Sequence, residues 1–160
     1  MARSFARQIK QSRPFDSAEQ EAMLAIRRAA ASLLAPWAKF LKAHAGLSTS
    51  QFNVLRILRG SRPAPLTCGE IGERTIANDP DITRLVDQLT ARGLVKRTRS
   101  QSDRRVVQVS VTDKGLDLLR ELDPHAVRMP KALIGHVSKA KLQRLTGMLS
   151  ELLDGMGAYP

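Results

Sequence analysis

Between Arg92 and Arg105 the chain also carries Lys96, Arg97, Arg99 and Arg104, six cations offset only by Asp103. Guanidinium and ammonium groups at that density are suited to holding phosphate oxygens and, in bidentate geometry, guanine edges. Just upstream, Asp81, Thr83, Arg84, Asp87 and Gln88 share the face opposite Ile82, Leu85, Val86 and Leu89 if the segment is helical. Thr83 can touch a thymine methyl or a phosphate, and Arg84 can reach guanine or a phosphate. Asp81 has two readings: an acceptor for a cytosine amino group, or a partner within its own helix that favours the N-terminal dipole. Asp103, beside two arginines, reads as a brace whose carboxylate holds one guanidinium in a bidentate pair and aims the other. The candidate DNA-binding set is therefore Asp81, Thr83, Arg84, Gln88, Lys96, Arg97, Arg99, Arg104 and Arg105, with Asp103 bracing it.

Other chemistries find no support. His44, His125 and His136 are scattered without metal-ligand spacing, and no nucleophile motif or carboxylate pair stands beside them. Gly60, Gly69 and Gly72 do not form a phosphate loop. The sequence predicts no catalysis, no metal and no cofactor.

Presenting those side chains requires particular elements. Ser48 with Gln51 is a capping box, followed by Phe52, Leu55 and Leu58 at helical spacing up to Gly60. After a proline-containing loop over 61–65, Thr67 with Glu70 opens a short second helix containing Ile71. Asp79-Pro80 supplies an N-cap and a proline at the first helical position for a third helix, which stops at Gly93. The period then changes. Val107, Val109 and Val111 alternate with Val106, Gln108 and Ser110 behind a polar tip at Ser100-Gln101-Ser102-Asp103, so the basic cluster falls on a β-hairpin. Capped helices followed by a basic hairpin are the outline of a helix-turn-helix with a wing.

The flanks are helical. Ala22, Ile26, Ala29, Ala30, Leu33 and Trp37 make one apolar stripe, which Pro36 is expected to kink or split and Gly46 to close. Thr112 caps a helix carrying Leu116, Leu119 and Leu122, expected to end at Pro124. Ser138 opens a last helix carrying Leu142, Leu145, Leu149, Leu152 and Leu153. These flanks hold more apolar surface than a small three-helix core can cover, which predicts a dimer. The expected organisation is a basic arm at 1–14, dimerisation helices at 15–46 and 112–160, and a DNA-binding lobe at 47–111.

Composition agrees with a mainly α fold bearing a small hairpin: 42% of residues are hydrophobic, yet only 4% are aromatic. A formal net charge of +11 points to a polyanionic partner, nucleic acid or an anionic membrane surface. The hairpin placement of the cations favours nucleic acid, because a membrane-surface protein would carry them along an amphipathic helix with aromatic anchors. No apolar run approaches the roughly 20 residues needed to span a bilayer, and the basic N-terminus lacks the apolar core of a secretory signal. A single cysteine, Cys68, fits a reducing cytoplasm. A winged helix can also serve a protein partner alone, and salt dependence of DNA binding would separate the two readings.

Gln51-Phe-Asn-Val-Leu-Arg-Ile-Leu-Arg-Gly60, Pro80-Asp-Ile-Thr-Arg-Leu-Val-Asp-Gln-Leu89 and Arg92-Gly-Leu-Val95 together resemble the MarR family of regulators. The wing is similar too: Asp103-Arg-Arg105, then Val111-Thr112 and Gly115, follows the family's D-x-R…(L/V)-T-x-x-G pattern. The likeness is close over residues 45–120 and rests on pattern alone in the flanking helices. It implies a winged helix-turn-helix homodimer joined through its first and last helices, set on a pseudo-palindromic operator in double-stranded DNA. It also implies a recognition helix over 80–92 with Thr83 and Arg84 facing DNA, and Arg105 as the wing arginine with Asp103 its partner. Family members are mostly repressors, often released by small aromatic ligands or by oxidation. Cys68 departs from the redox-sensing members by lying in the helix-turn-helix, and it reads as a buried structural residue. Trp37, Phe40, His44 and Phe52 can line a family-type ligand pocket or simply belong to the core.

Overall fold

In the computed structural model, which describes residues 5–76, 81–99, 103 and 105–156, the order of elements is seven helices and one hairpin. They are α1 (Phe5–Gln8), α2 (Ala18–Ala45), α3 (Thr49–Gly60), α4 (Cys68–Glu73), α5 (Ile82–Ala91), β1 (Val95–Arg99), β2 (Val107–Val111), α6 (Asp113–Ile134) and α7 (Lys139–Gly155). The chain divides into two compact units, residues 1–122 and 123–160.

Local chemistry sets most boundaries. Ser17 caps α2 by accepting the Gln20 N–H, and Gly46, at φ 59°, ends it in the left-handed conformation that favours glycine. Both capping boxes form completely: Ser48 with Gln51 on α3, and Thr67 with Glu70 on α4. The Thr67 backbone N–H and then its hydroxyl, 2.7 and 2.8 Å from Glu70 Oε2, hold the Glu70 carboxyl below its ordinary pKa.

The prolines correct two expectations. Pro36 does not split α2, which is continuous over 28 residues, and Pro124 does not end α6, which runs through Pro124 and Pro130 to Ile134. Each proline removes only one N–H, while hydrogen bonding continues on both sides. Within the continued helix, Arg128 Nε donates to the Pro124 carbonyl oxygen at 3.2 Å. The Gly135 N–H to the Lys131 carbonyl, 2.8 Å, follows the last turn of α6.

In the first unit the core is built from α2's last turns, α3, α4, α5, the hairpin and the start of α6. Leu41, Leu55, Ile71, Val86, Val109 and Leu119 are fully buried. The hairpin is antiparallel with Val95 opposite Val111, Arg97 opposite Val109 and Arg99 opposite Val107. Leu66 adds a short third edge, exchanging both backbone hydrogen bonds with Val109 at 3.0 and 2.7 Å. Gly115 lies where α6 passes the hairpin base; a Cβ there would collide with the Leu94 carbonyl and the Val111 side chain. That close approach explains the glycine of the T-x-x-G pattern. In the second unit, α7 buries no residue, and Leu145, Met148, Leu152 and Leu153 are exposed. Along α2, Met23, Ile26, Leu33 and Leu34 are exposed as well.

Candidate nucleic-acid interface

Asp81 caps α5: its backbone is non-helical (φ −131°, ψ 55°) and its Oδ1 accepts the Arg84 N–H at 3.0 Å. The helix consequently starts at Ile82; the expected Asp79-Pro80 start lies outside the described residues. Of the two readings of Asp81, the structure places its carboxylate in the helix-bound one. Thr83 and Arg84 follow on the exposed side of α5, while Val86 and Leu89 go into the core.

Gln88 is exposed, but its amide oxygen is occupied. The capping box commits Gln51 Oε1 to the Ser48 N–H at 2.9 Å, which leaves Gln51 Nε2 to donate to Gln88 Oε1 at 2.8 Å. This bond ties the start of α3 to α5.

The cations of the basic cluster fall into two groups. Arg92 follows α5 and turns its guanidinium onto the end of α2, donating to the Ala45 carbonyl at 2.6 Å and the Gly46 carbonyl at 3.1 Å. It satisfies carbonyls that a helix end leaves unpaired and places positive charge at the negative end of the dipole. Arg97 is also engaged, by an ion pair with Asp87 at 2.7 Å and a hydrogen bond to the Thr83 carbonyl at 3.3 Å. Lys96, Arg99 and Arg105, in contrast, are exposed. Strand alternation puts Arg97 and Arg99 on one face of β1 and Lys96 on the other, beside Ser110. Arg97, expected among the DNA contacts, is half-buried with its guanidinium held by α5.

At the tip, the Asp103 carboxylate accepts the backbone N–H of Arg105 at 2.9 Å, and its carbonyl accepts from Val106 at 3.0 Å. This bond to the backbone of Arg105 shapes the return into β2. Arg104 and residues 100–102 lie outside the described residues.

A cavity of about 220 Å³ opens beside α5, lined by Leu34, Trp37, Phe52, Arg56, Ile76 and Leu85 among others. Trp37 meets Phe52 edge-on at 5.2 Å, and Arg56 lies 5.9 Å over the Phe52 ring. Phe40 and His44 stack on each other, with ring centroids 4.1 Å apart, and are not among the lining residues. Cys68, expected to be buried, is half-exposed at the start of α4. Among the described residues no cluster of His, Cys, Asp or Glu could hold a metal ion, and no helix is long and apolar enough to cross a membrane.

Residues 45–106 match the family model described as MarR family. The chain is 32% identical over 108 residues to the HTH-type transcriptional regulator MhqR of Bacillus subtilis, covering 67% of this chain and 72% of that one. The crystal structure of a MarR transcription factor from Planctomyces limnophilus is similar at 36% identity and a TM-score of 0.63, over 86% of this chain and 98% of that one. The fold is shared with S. aureus MepR, solved as a DNA complex, at 17% identity and a TM-score of 0.76, over 84% of this chain and 97% of that one. Strands β1 and β2 are thus the wing of a winged helix, and the chain belongs to the MarR family, as a DNA-binding transcription regulator and not an enzyme.

Proposed function

We propose that the chain acts in the cytoplasm as a homodimeric repressor on a pseudo-palindromic operator. The observation that carries this reading is the common exposure of Thr83 and Arg84 on α5 and of Lys96, Arg99 and Arg105 on the adjoining hairpin. A helix fits the major groove and reads base edges there, while a basic hairpin follows phosphates or enters the minor groove. Residues 15–46 and 112–160 serve as the dimerisation segments. The exposed apolar side chains of α2 and α7 support that assignment, because stripes of that size mark association surfaces. A twofold dimer sets two recognition helices about one helical turn, roughly 34 Å, apart on DNA.

The cavity walled by Trp37, Phe52 and Leu85 suits a small aromatic effector. Its walls come from α2, α3 and α5, so a ligand that prefers a differently splayed dimer lowers operator affinity by its differential binding to the two states.

Fluorescence anisotropy on the DNA upstream of the gene and on a scrambled duplex, across a salt series, tests the reading. Tight, salt-sensitive binding with preference for the upstream DNA is expected. Equal, weak binding to both duplexes would reduce the interaction with that DNA to charge attraction and contradict regulation from that site.

A further inference from the structure

The ion pair between Arg97 and Asp87 joins the two parts of the molecule that face DNA, and its position does not suit a stabilising role. The two side chains are 30% and 57% exposed. A pair that open to water adds little to stability. Its geometry, however, is directional. The Arg97 guanidinium spans one turn of α5, from the Thr83 carbonyl at 3.3 Å to the Asp87 carboxylate at 2.7 Å. The turn it spans is the one that carries Thr83 and Arg84. On β1, Arg97 stands opposite fully buried Val109, so its backbone is anchored, and Arg99 lies two residues further toward the tip on the same face. Its Nε is buried without a hydrogen-bond partner among the described residues, so the guanidinium is packed against the protein on that edge.

We infer that Arg97 is a positioning residue for DNA recognition: through Asp87 and the Thr83 carbonyl it fixes the wing against the recognition helix, so that both parts meet the duplex in one register. The pair also neutralises a carboxylate on the DNA-facing helix that would otherwise repel phosphate. Lysine cannot replace it, because a single ammonium lacks the planar fork that reaches both acceptors.

The test uses the full chain with Arg97→Ala, Arg97→Lys, Asp87→Asn and the double variant Arg97→Ala/Asp87→Asn. The probes are a duplex selected in vitro by the wild-type protein from a random library and a scrambled duplex of equal length. Each single variant is expected to lower the preference for the selected duplex about tenfold, and the double variant to be no worse than Arg97→Ala, as coupled residues behave. The slope of log affinity against log salt stays at the wild-type value, since no phosphate contact is lost. Amide exchange at Thr98 and Arg99 in the free protein quickens in Arg97→Ala, a readout that needs no DNA. A slope smaller by about 0.9 would instead make Arg97 a phosphate contact. Unchanged exchange at Thr98 and Arg99 would overturn the inference, as would tighter binding of Asp87→Asn to both duplexes at undiminished preference. Asp87 is exposed, so its variant keeps the test decisive if Arg97→Ala folds poorly.

Discussion

The segment from α3 to the hairpin and α7 are built from similar amphipathic material, yet they end differently. In the first, Leu55, Ile71, Val86 and Val109 close onto one another until none is exposed. In α7, no residue is buried, and Leu145, Met148, Leu152 and Leu153 recur at helical spacing in the open. The difference separates two uses of an apolar face. One closes a lobe, and the other is the face proposed above for association. The basic residues repeat the contrast on a smaller scale: Arg92 and Arg97 are bound to the protein, whereas Lys96, Arg99 and Arg105 are exposed.

The largest expected effect breaks the closed side. Leu55→Ala in the fully buried centre of α3 should lower stability by about 2–5 kcal/mol in urea unfolding, through lost transfer energy and the cavity left behind. On the open side, Leu152→Glu should raise the dimer dissociation constant about 100-fold by light scattering, as charge placed in an interface hot spot does. The urea midpoint of a Trp37 signal followed on the dissociated protein should not move. Loss of both together would mean that α7 is structural for the lobe.

Two cations sharpen the smaller contrast. Arg92→Ala should lower stability by about 1–2 kcal/mol, since it leaves the last carbonyls of α2 without their charged donor, and should keep the salt slope of DNA binding. Arg99→Ala should leave the urea midpoint unchanged and reduce that slope by about 0.9. The smallest effect is at the wing tip. Asp103→Ala removes a negative charge, yet it should weaken operator binding about threefold, because the Arg105 N–H loses the acceptor that shapes the turn. Tighter binding by that variant would show that its charge outweighs its geometry.

Period and capping made most of the fold legible. The capping boxes at Ser48 and Thr67, the stripe ending in Val86 and Leu89, and the valine alternation each correspond to an observed element. Prolines were over-read, because a breaker counted alone ignores the cooperative helix on both sides, as at Pro36 and Pro124. The cap at Asp81 rests on its backbone angles, which sequence does not give, and the expected start at Asp79-Pro80 lies outside the described residues. Within the site, exposure of Thr83, Arg84 and Lys96 followed from helical and strand period, whereas Arg99 shares the Arg97 face and Arg105 lies outside both strands. The partners of Arg92, Arg97 and Gln88 did not, because they lie 10 to 47 residues away in sequence and depend on packing. Alternation from Val95 could have separated Arg97 from Lys96, but nothing in the sequence spacing pairs Gln88 with Gln51.

Hydroxyl-radical footprinting of a duplex selected by the protein tests the central claim most directly. A homodimer reading DNA through α5 and the wing should protect two symmetric patches about 34 Å apart, and Arg84→Ala should remove both together. A single protected patch, or protection that spreads evenly along the duplex and disappears with added salt, would contradict the dimeric, sequence-specific account.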